Sequence, residues 1–322
     1  MRHGSKHLII ASGIVTAAAA VFAVSYSTTK ALVSAALDRE APRIMNKKKP
    51  HSSPIEKDSP IYFELKNASE KLLNTNCETI EISSHDNYPL IGHWHRCEHA
   101  RRIIVAMHGW RSSWSKDFGA ISDFWFDNNC SVLYAEQRGQ NNSGGDYMGF
   151  GMIERYDCAE WVKWINMHNP DNLPIYLAGI SMGASTVLMA AGFQLPENVH
   201  GIMADCGFTS ANAIWKHVTE NNMHMSYNIR RKMVNDLCKK KIQIGYEDYT
   251  TFDALERNKI PVLFIHGTDD KFVPIEMTYQ NYKACTAPKR LFVVPGAGHA
   301  MSYIVDKTGY EQTVMDFWCD YD

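Results

Sequence analysis

A serine stands between two glycines in Gly179-Ile180-Ser181-Met182-Gly183, directly after the apolar run Ile175-Tyr176-Leu177-Ala178 and ahead of a helix-forming stretch. Glycines two residues to either side leave room for a sharp strand-to-helix turn. Such a turn exposes a hydroxyl and aims the helix N-terminus at an oxygen that gains negative charge. A serine hydroxyl is a weak nucleophile, so it needs a base, and the base needs an acid to orient it. His299, in Gly296-Ala297-Gly298-His299, follows the last apolar run of the chain. Asp270, in His266-Gly267-Thr268-Asp269-Asp270, follows the run before it, so the chain order is Ser, Asp, His. Position alone leaves Asp269 beside it, and Asp205 after an earlier run, as alternatives for the acid. His108-Gly109-Trp110 supplies one more loop after an apolar run. The backbone N–H groups of Trp110 and Met182 would together form an oxyanion hole, with His108 as a structural hydrogen bonder. The chemistry implied is acyl transfer through a covalent serine intermediate, with no metal and no cofactor.

These loops need strands that end at one sheet edge. Short apolar runs recur at Ile103–Met107, Ser131–Ala135, Ile175–Ala178, Gly201–Ala204, Val262–Ile265 and Leu291–Val294. Runs of four or five apolar residues fit strands buried on both faces, as in a parallel sheet. Thr79–Ile82 and Leu90–Trp94 read as two earlier strands around Asp86-Asn87, and Glu64–Leu73 has helical spacing. Asp157–Met167 and Ser185–Gly192 read as crossover helices. The fold class expected is α/β, an eight-stranded, mostly parallel sheet. The stretch from Ala204 to Pro261 is too long for a compact connection and predicts a helical cap insertion over about residues 207–250.

The N-terminus has a different composition. Leu8–Thr29 carries no charge, and Arg2 and Lys6 precede it. A run of about 20 apolar residues is long enough to cross a bilayer. Residues 1–29 are therefore expected to be a signal anchor, residues 30–57 a linker, and residues 58–322 the folded domain. The linker reading rests on Pro42, Lys47-Lys48-Lys49, Pro50 and Pro54. The expected location is the cell membrane, with the folded domain outside the cytoplasm, or secretion if the signal is cleaved at Ala23-Val24-Ser25. Basic residues flank the run on both sides, so the positive-inside count does not set the orientation.

Composition narrows the remaining classes. The chain has 33 basic and 35 acidic side chains, a net charge of −2, which argues against nucleic acid as a partner. Apolar residues are 45% and charged residues 21%, as in a globular body. Eight cysteines with no CxxC spacing exclude zinc ribbons and thioredoxin-type motifs. Cys77 and Cys97 bracket the first hairpin and are the best candidates for a disulfide, with small buried apolar residues as the expected role of most of the eight. His93, His95, Cys97 and His99 alternate along one strand face. Four ligands strung along one strand do not wrap a tetrahedral ion, so a solvated face is the expected role. Trp110, Trp114, Phe150, Phe208 and Trp215 are available to line an acyl pocket.

The pieces His108-Gly109, Gly179-Ile180-Ser181-Met182-Gly183-Ala184, His266-Gly267 to Asp270 with Val273-Pro274, and Gly298-His299 resemble the serine α/β-hydrolases. More narrowly, residues 60–320 resemble membrane-anchored bacterial hydrolases near the serine aminopeptidase and acylglycerol lipase group. The resemblance implies Asp270 as the acid, because the Val-Pro pair follows it. One loop departs from the pattern. Relatives carry Asp-x-Arg-Gly-x-Gly-x-Ser where this chain has Glu136-Gln137-Arg138-Gly139-Gln140-Asn141-Asn142-Ser143-Gly144, so a differently shaped pocket is expected. The activity expected is hydrolysis of carboxylic esters or thioesters of a small-molecule acyl substrate. A serine peptidase acting on short peptides would use the same residues, with Glu220 and Glu247 available to hold a free amino terminus. A binding protein on a hydrolase scaffold is the third class, and loss of a triad member would have marked it.

Overall fold

The computed structural model describes residues 22–40 and 59–322. Eight strands form one sheet: β1 (Glu78–Ser83), β2 (Pro89–His95), β3 (Arg102–Met107), β4 (Cys130–Ala135), β5 (Ile175–Ile180), β6 (Val199–Asp205), β7 (Val262–Gly267) and β8 (Lys289–Val294). Their order is β1-β2-β4-β3-β5-β6-β7-β8, with β2 antiparallel to both its neighbours and the rest parallel. β3, β4 and β7 are buried along their whole length, which is why they read as unbroken apolar runs. The chain goes from β3 to β4 on one side and then to β5 on the other. That reversal opens a crevice at the carboxyl ends of β3 and β5, where open α/β sheets bind ligands.

Helices cover both faces. On one, α4 (Glu154–Met167) and α5 (Met182–Ala190) bury Trp161, Val162, Val187 and Leu188 against Val105, Leu133 and Leu177. On the other, α3 (Trp114–Asp127) and α8 (Lys307–Tyr321) bury Phe118, Trp125, Phe317 and Trp318 against Ile104, Val132 and Tyr176. α2 (Pro60–Leu73) starts on the Ser59 cap with Pro60 in its first turn and packs on α3. The insertion after β6 is helical, with α6 (Ala211–His217) and α7 (Arg231–Ile242) as its main elements. Its apolar faces, Ile214, Trp215, Val234 and Leu237, close over Phe150, Met182 and Phe208.

One expectation and one candidate pairing need correction, and one expectation lies mostly outside the described residues. Residues 30–40 are not a solvated linker. A helix, α1, runs through 22–37, and Thr29, Val33 and Leu37 are buried against the body. Its apolar stripe at i and i+4 spacing seats it under the cap with Phe150, Met182 and Trp215. Leu37 O and Asp146 O then accept from the Met148 and Arg39 amides, and Asp38 bridges to Tyr147. Residues 1–21, with most of the expected spanning run, and residues 41–58 lie outside the described residues; among the described residues no helix is long and apolar enough to cross a membrane. Cys77 and Cys97 are both free thiols. The hairpin register pairs Glu78 with Trp94, so its continuation sets Cys77 opposite His95, two residues short of Cys97.

Candidate active site

Ser181 sits at the turn from β5 into α5 with φ +56° and ψ −116°. That conformation is rare for a side-chain-bearing residue and persists only where the surroundings over-determine it. The two glycines make it possible. An added Cβ at Gly183 would fall on the Met107 carbonyl, and one at Gly179 on the Gly183 carbonyl. Both clashes are with backbone, which cannot rotate away. Gly183→Ala is therefore expected to destabilise the protein by about 3 kcal/mol or more. A urea midpoint within error of the parent's would refute this account of the turn.

The hydroxyl of Ser181 donates to His299 Nε2 at 2.9 Å, and His299 Nδ1 donates to Asp270 Oδ2 at 2.6 Å. Asp270 is 5% exposed and fully ringed by donors. Its Oδ1 accepts the Phe272 and Val273 amides, both at 2.9 Å. Burial opposes its charge, yet hydrogen bonds from His266 and His299 hold its carboxyl well below the usual carboxylate range. His266 stood in a motif in the sequence but was given no role there. It is fully buried, with Nε2 3.2 Å from Asp270 Oδ2 and 2.9 Å from the Val273 carbonyl, while Nδ1 accepts from the Thr278 hydroxyl. Its i, i+4 spacing to Asp270 was the available signal.

The alternatives fall elsewhere. Asp269 is exposed and accepts from its neighbour Thr268. Asp205 is buried in the same cavity but accepts from Ser302, and burial raises its carboxyl. His108 is fully buried as a structural hydrogen bonder, with Nδ1 donating to the Gly109 carbonyl and Nε2 accepting the Gln137 amide. Burial pushes its imidazole down.

Gly109 lies against the elbow, since a Cβ there would meet the Ser181 side chain and the Ile180 carbonyl. The amides on either side of Trp110 are pinned: Gly109 N donates to Asp117 Oδ2 at 2.6 Å and Arg111 N to Gln140 Oε1 at 2.5 Å. Among the described residues the Trp110 amide donates no hydrogen bond. Met182 opens α5, and the first amides of a helix have no partner within it. The two N–H groups named from the sequence thus sit in the loop and the helix start that flank Ser181.

A cavity of about 250 Å³ opens at Ser181 and His299. Its apolar wall comes from Leu65 of α2, Ala120 and Ile121 of α3, Ile180, and Met301, Tyr303 and Ile304 after the last strand. Of the five aromatic residues available for an acyl pocket, Trp110 lines it and the other four pack in the core. Phe150 packs tilted on Phe208 and edge-on against Trp215 beneath the cap, and Trp114 stacks on His93 and packs tilted on Tyr134. The 136–144 loop does not line the cavity either. It is a brace: Arg138 is forked onto Asp157 and Asp86, and Glu136 binds His93 and the Asn142 amide. That bond and the Trp114 stack give His93 a structural role. Glu247 pairs with Arg231, and neither it nor Glu220 reaches the cavity wall.

The sequence profile of the prolyl oligopeptidase family matches residues 116–321. Among curated proteins, YqkD of Bacillus subtilis is 27% identical over 191 residues, 58% of this chain and 61% of that protein, so the match spans about three fifths of the relative's length. YfhR of Escherichia coli is 22% identical over 75% of this chain and 80% of its own. Both are described as uncharacterized proteins. Among solved structures, the Pyrococcus furiosus esterase Pf2001 superposes with a TM-score of 0.64 at 20% identity, over 78% of this chain and 93% of its own. The Pyrococcus horikoshii acylaminoacyl peptidase does so with a TM-score of 0.57 at 14% identity, over 77% of this chain and 42% of its own. Est1E of Butyrivibrio proteoclasticus, solved with ferulic acid bound, gives 0.59 at 17% identity, over 75% and 98%.

Proposed function

The chain belongs to the prolyl oligopeptidase family and is a hydrolase of the serine α/β type, and from that premise we propose that it cleaves carboxylic esters or thioesters of small or medium hydrophobic acids. The observation that carries this reading is the unbroken hydrogen-bond chain Ser181–His299–Asp270 opening onto a mostly apolar cavity of about 250 Å³. Ser181 Oγ attacks the acyl carbon while His299 Nε2 takes its proton. Asp270 holds the imidazole in the right tautomer and stabilises the imidazolium. The Trp110 and Met182 amides receive the oxyanion. His299 then protonates the leaving alkoxide or thiolate, and water, deprotonated by the same imidazole, releases the acid. The acyl group lies along Leu65, Ala120 and Ile121, a wall that excludes water and rewards each buried methylene.

A second reading, cleavage of short peptides, is favoured by the family match. It would use the same groups, but the two carboxylates at the cavity are already engaged within the protein, Asp117 by the Gly109 amide and the Ser112 hydroxyl and Asp205 by the Ser302 hydroxyl. Two measurements on the full chain separate the readings. A fluorophosphonate should label Ser181 as located by peptide mass spectrometry, and p-nitrophenyl esters of rising acyl length should turn over while aminoacyl anilides do not. Turnover of anilides alone would replace the esterase by the peptidase. Ala120→Phe is expected to cut kcat/KM about tenfold or more for the longest accepted acyl group and to spare acetyl esters. Equal losses for both would place the acyl group elsewhere.

A further inference from the structure

α1 ends at residue 37, where Leu37 O accepts from Met148, and two consecutive residues of the 108–112 loop donate to four further carbonyls at and just past that end. Trp110 Nε1 donates to Ala36 O at 2.9 Å. The Arg111 guanidinium donates to Ala35 O at 2.9 Å, Asp38 O at 2.6 Å and Arg39 O at 3.1 Å. The contacts close into a ring. Arg39 reaches back to Asn141 O at 2.5 Å and Ser143 O at 2.6 Å, in the loop whose Gln140 holds the Arg111 amide. Lys241 of α7 ties Asp38 to the cap at 2.6 Å. Arg111 itself lies at φ +52°, a left-handed conformation that an arginine keeps only when its surroundings enforce it. The enforcing groups here are the carbonyls of α1 on its side chain and Gln140 on its amide. The residue so held is the immediate neighbour of Trp110, whose own amide is left undonated.

We propose that segment 22–40 is a clamp that sets the oxyanion loop of this enzyme, with Arg111 as its positioning residue. Docking of the helix end fixes Arg111 and the Trp110 ring, and together they aim the Trp110 amide at the oxygen of the tetrahedral intermediate. The proposal rests on the serine-hydrolase mechanism above. It gives the N-terminal segment a part in turnover rather than in tethering alone: whatever displaces α1 should slow the chemical step and leave ground-state binding in place.

The test uses the full chain with Arg111→Ala, Arg39→Ala and Trp110→Phe. The first removes three bonds to α1. The second frees only the far side of the ring, and the third removes the Nε1 bond while keeping a smaller aromatic ring at the cavity wall beside Phe150 and Arg111. Each variant is assayed for kcat and KM on an ester and for affinity to a trifluoromethyl ketone. That ketone accepts Ser181 Oγ at its carbon, passes the serine proton to His299 and places an alkoxide in the oxyanion hole. Arg111→Ala is expected to lower kcat and ketone affinity together, by about tenfold to a hundredfold, with KM changed less than about twofold. The other two should move in the same direction by less. Amide hydrogen exchange across residues 109–112 should quicken in all three. A purely structural role would lower the melting temperature and leave kcat per folded molecule and ketone affinity unchanged, which overturns the proposal. If Arg111→Ala does not fold, unchanged kcat in both Arg39→Ala and Trp110→Phe overturns it equally. Unaltered exchange at 109–112 in the folded variants overturns the clamp whatever the reaction. A parent protein that neither hydrolyses esters nor takes a fluorophosphonate at Ser181 would instead overturn the proposed function, and the exchange data would still judge the clamp.

Discussion

Ser181→Ala is expected to lower kcat on an ester by about 10⁵- to 10⁶-fold with little change in stability. The hydroxyl is the only atom lost, and alanine inherits the same φ of +56°, which the flanking backbone already enforces. Its single side-chain partner is His299 Nε2, so no buried group is stranded. The residual rate reflects binding and the oxyanion amides acting on water. The check is turnover per mole of folded protein, on a variant with a parental urea midpoint. More than about one per cent of parental turnover would exclude Ser181 as the nucleophile.

Asp270→Asn is expected to lower kcat by about 10⁴-fold. The carboxylate accepts from His266 and His299 on Oδ2 and from two backbone amides on Oδ1. An asparagine amide turns its NH₂ towards one of these pairs, so it either faces two imidazole donors or abandons two backbone N–H groups. Facing His299, it favours the tautomer in which Nε2 carries the proton and cannot accept from Ser181. Asp205→Asn serves as the comparison. It lies in the same cavity but bonds Ser302, and its loss should be far smaller. Equal losses would mean that the acid function is shared. The pH profile carries a sign. Asp270 is depressed, so it stays ionised throughout the weakly acidic range and adds no inflection to log kcat/KM there. Its contribution to stability is present above the unfolded value of about 3.9 and is lost only as the pH falls through the lower folded value. A stability loss on acidification that sets in well above about pH 4 in the parent and is absent from Asp270→Asn would contradict this.

Much of the candidate site could be read from the chain because its chemistry is local. The elbow needs glycines at 179 and 183 within one turn, and the clash each avoids is with backbone a few residues away or on the adjacent strand. Asp270 and His299 each follow a strand, and the parallel sheet brings those strand ends to one edge. The strands themselves were legible because burial on both faces requires unbroken apolar runs. The pocket was not legible. Its wall is assembled from α2, α3 and the segment after β8, so Leu65, Ala120 and Tyr303 meet only in three dimensions. The large aromatics that composition offered pack beneath the cap instead. The second imidazole on Asp270 was visible as a motif, but its role depends on a bend that returns Val273 and Asp270 to His266.

The N-terminal segment shows the same division most plainly. Charge and proline content at 30–57 describe how the chain prefers water, and they point to a spacer. Whether a short amphipathic stretch stays solvated depends on what apolar face and which unpaired groups it finds. Here Val33 and Leu37 find the underside of the cap, and the last carbonyls of the helix find Trp110 and Arg111. The sequence by itself determined the glycine-flanked turn at Ser181, the chain order of Ser181, Asp270 and His299 and the sheet, because each is dictated by sterics and burial within a few residues. Only the tertiary structure decided the pocket wall, the fate of residues 30–40 and the support of the oxyanion loop, because each depends on hydrogen bonds and contacts between segments about a hundred residues apart, whose partners no local pattern specifies.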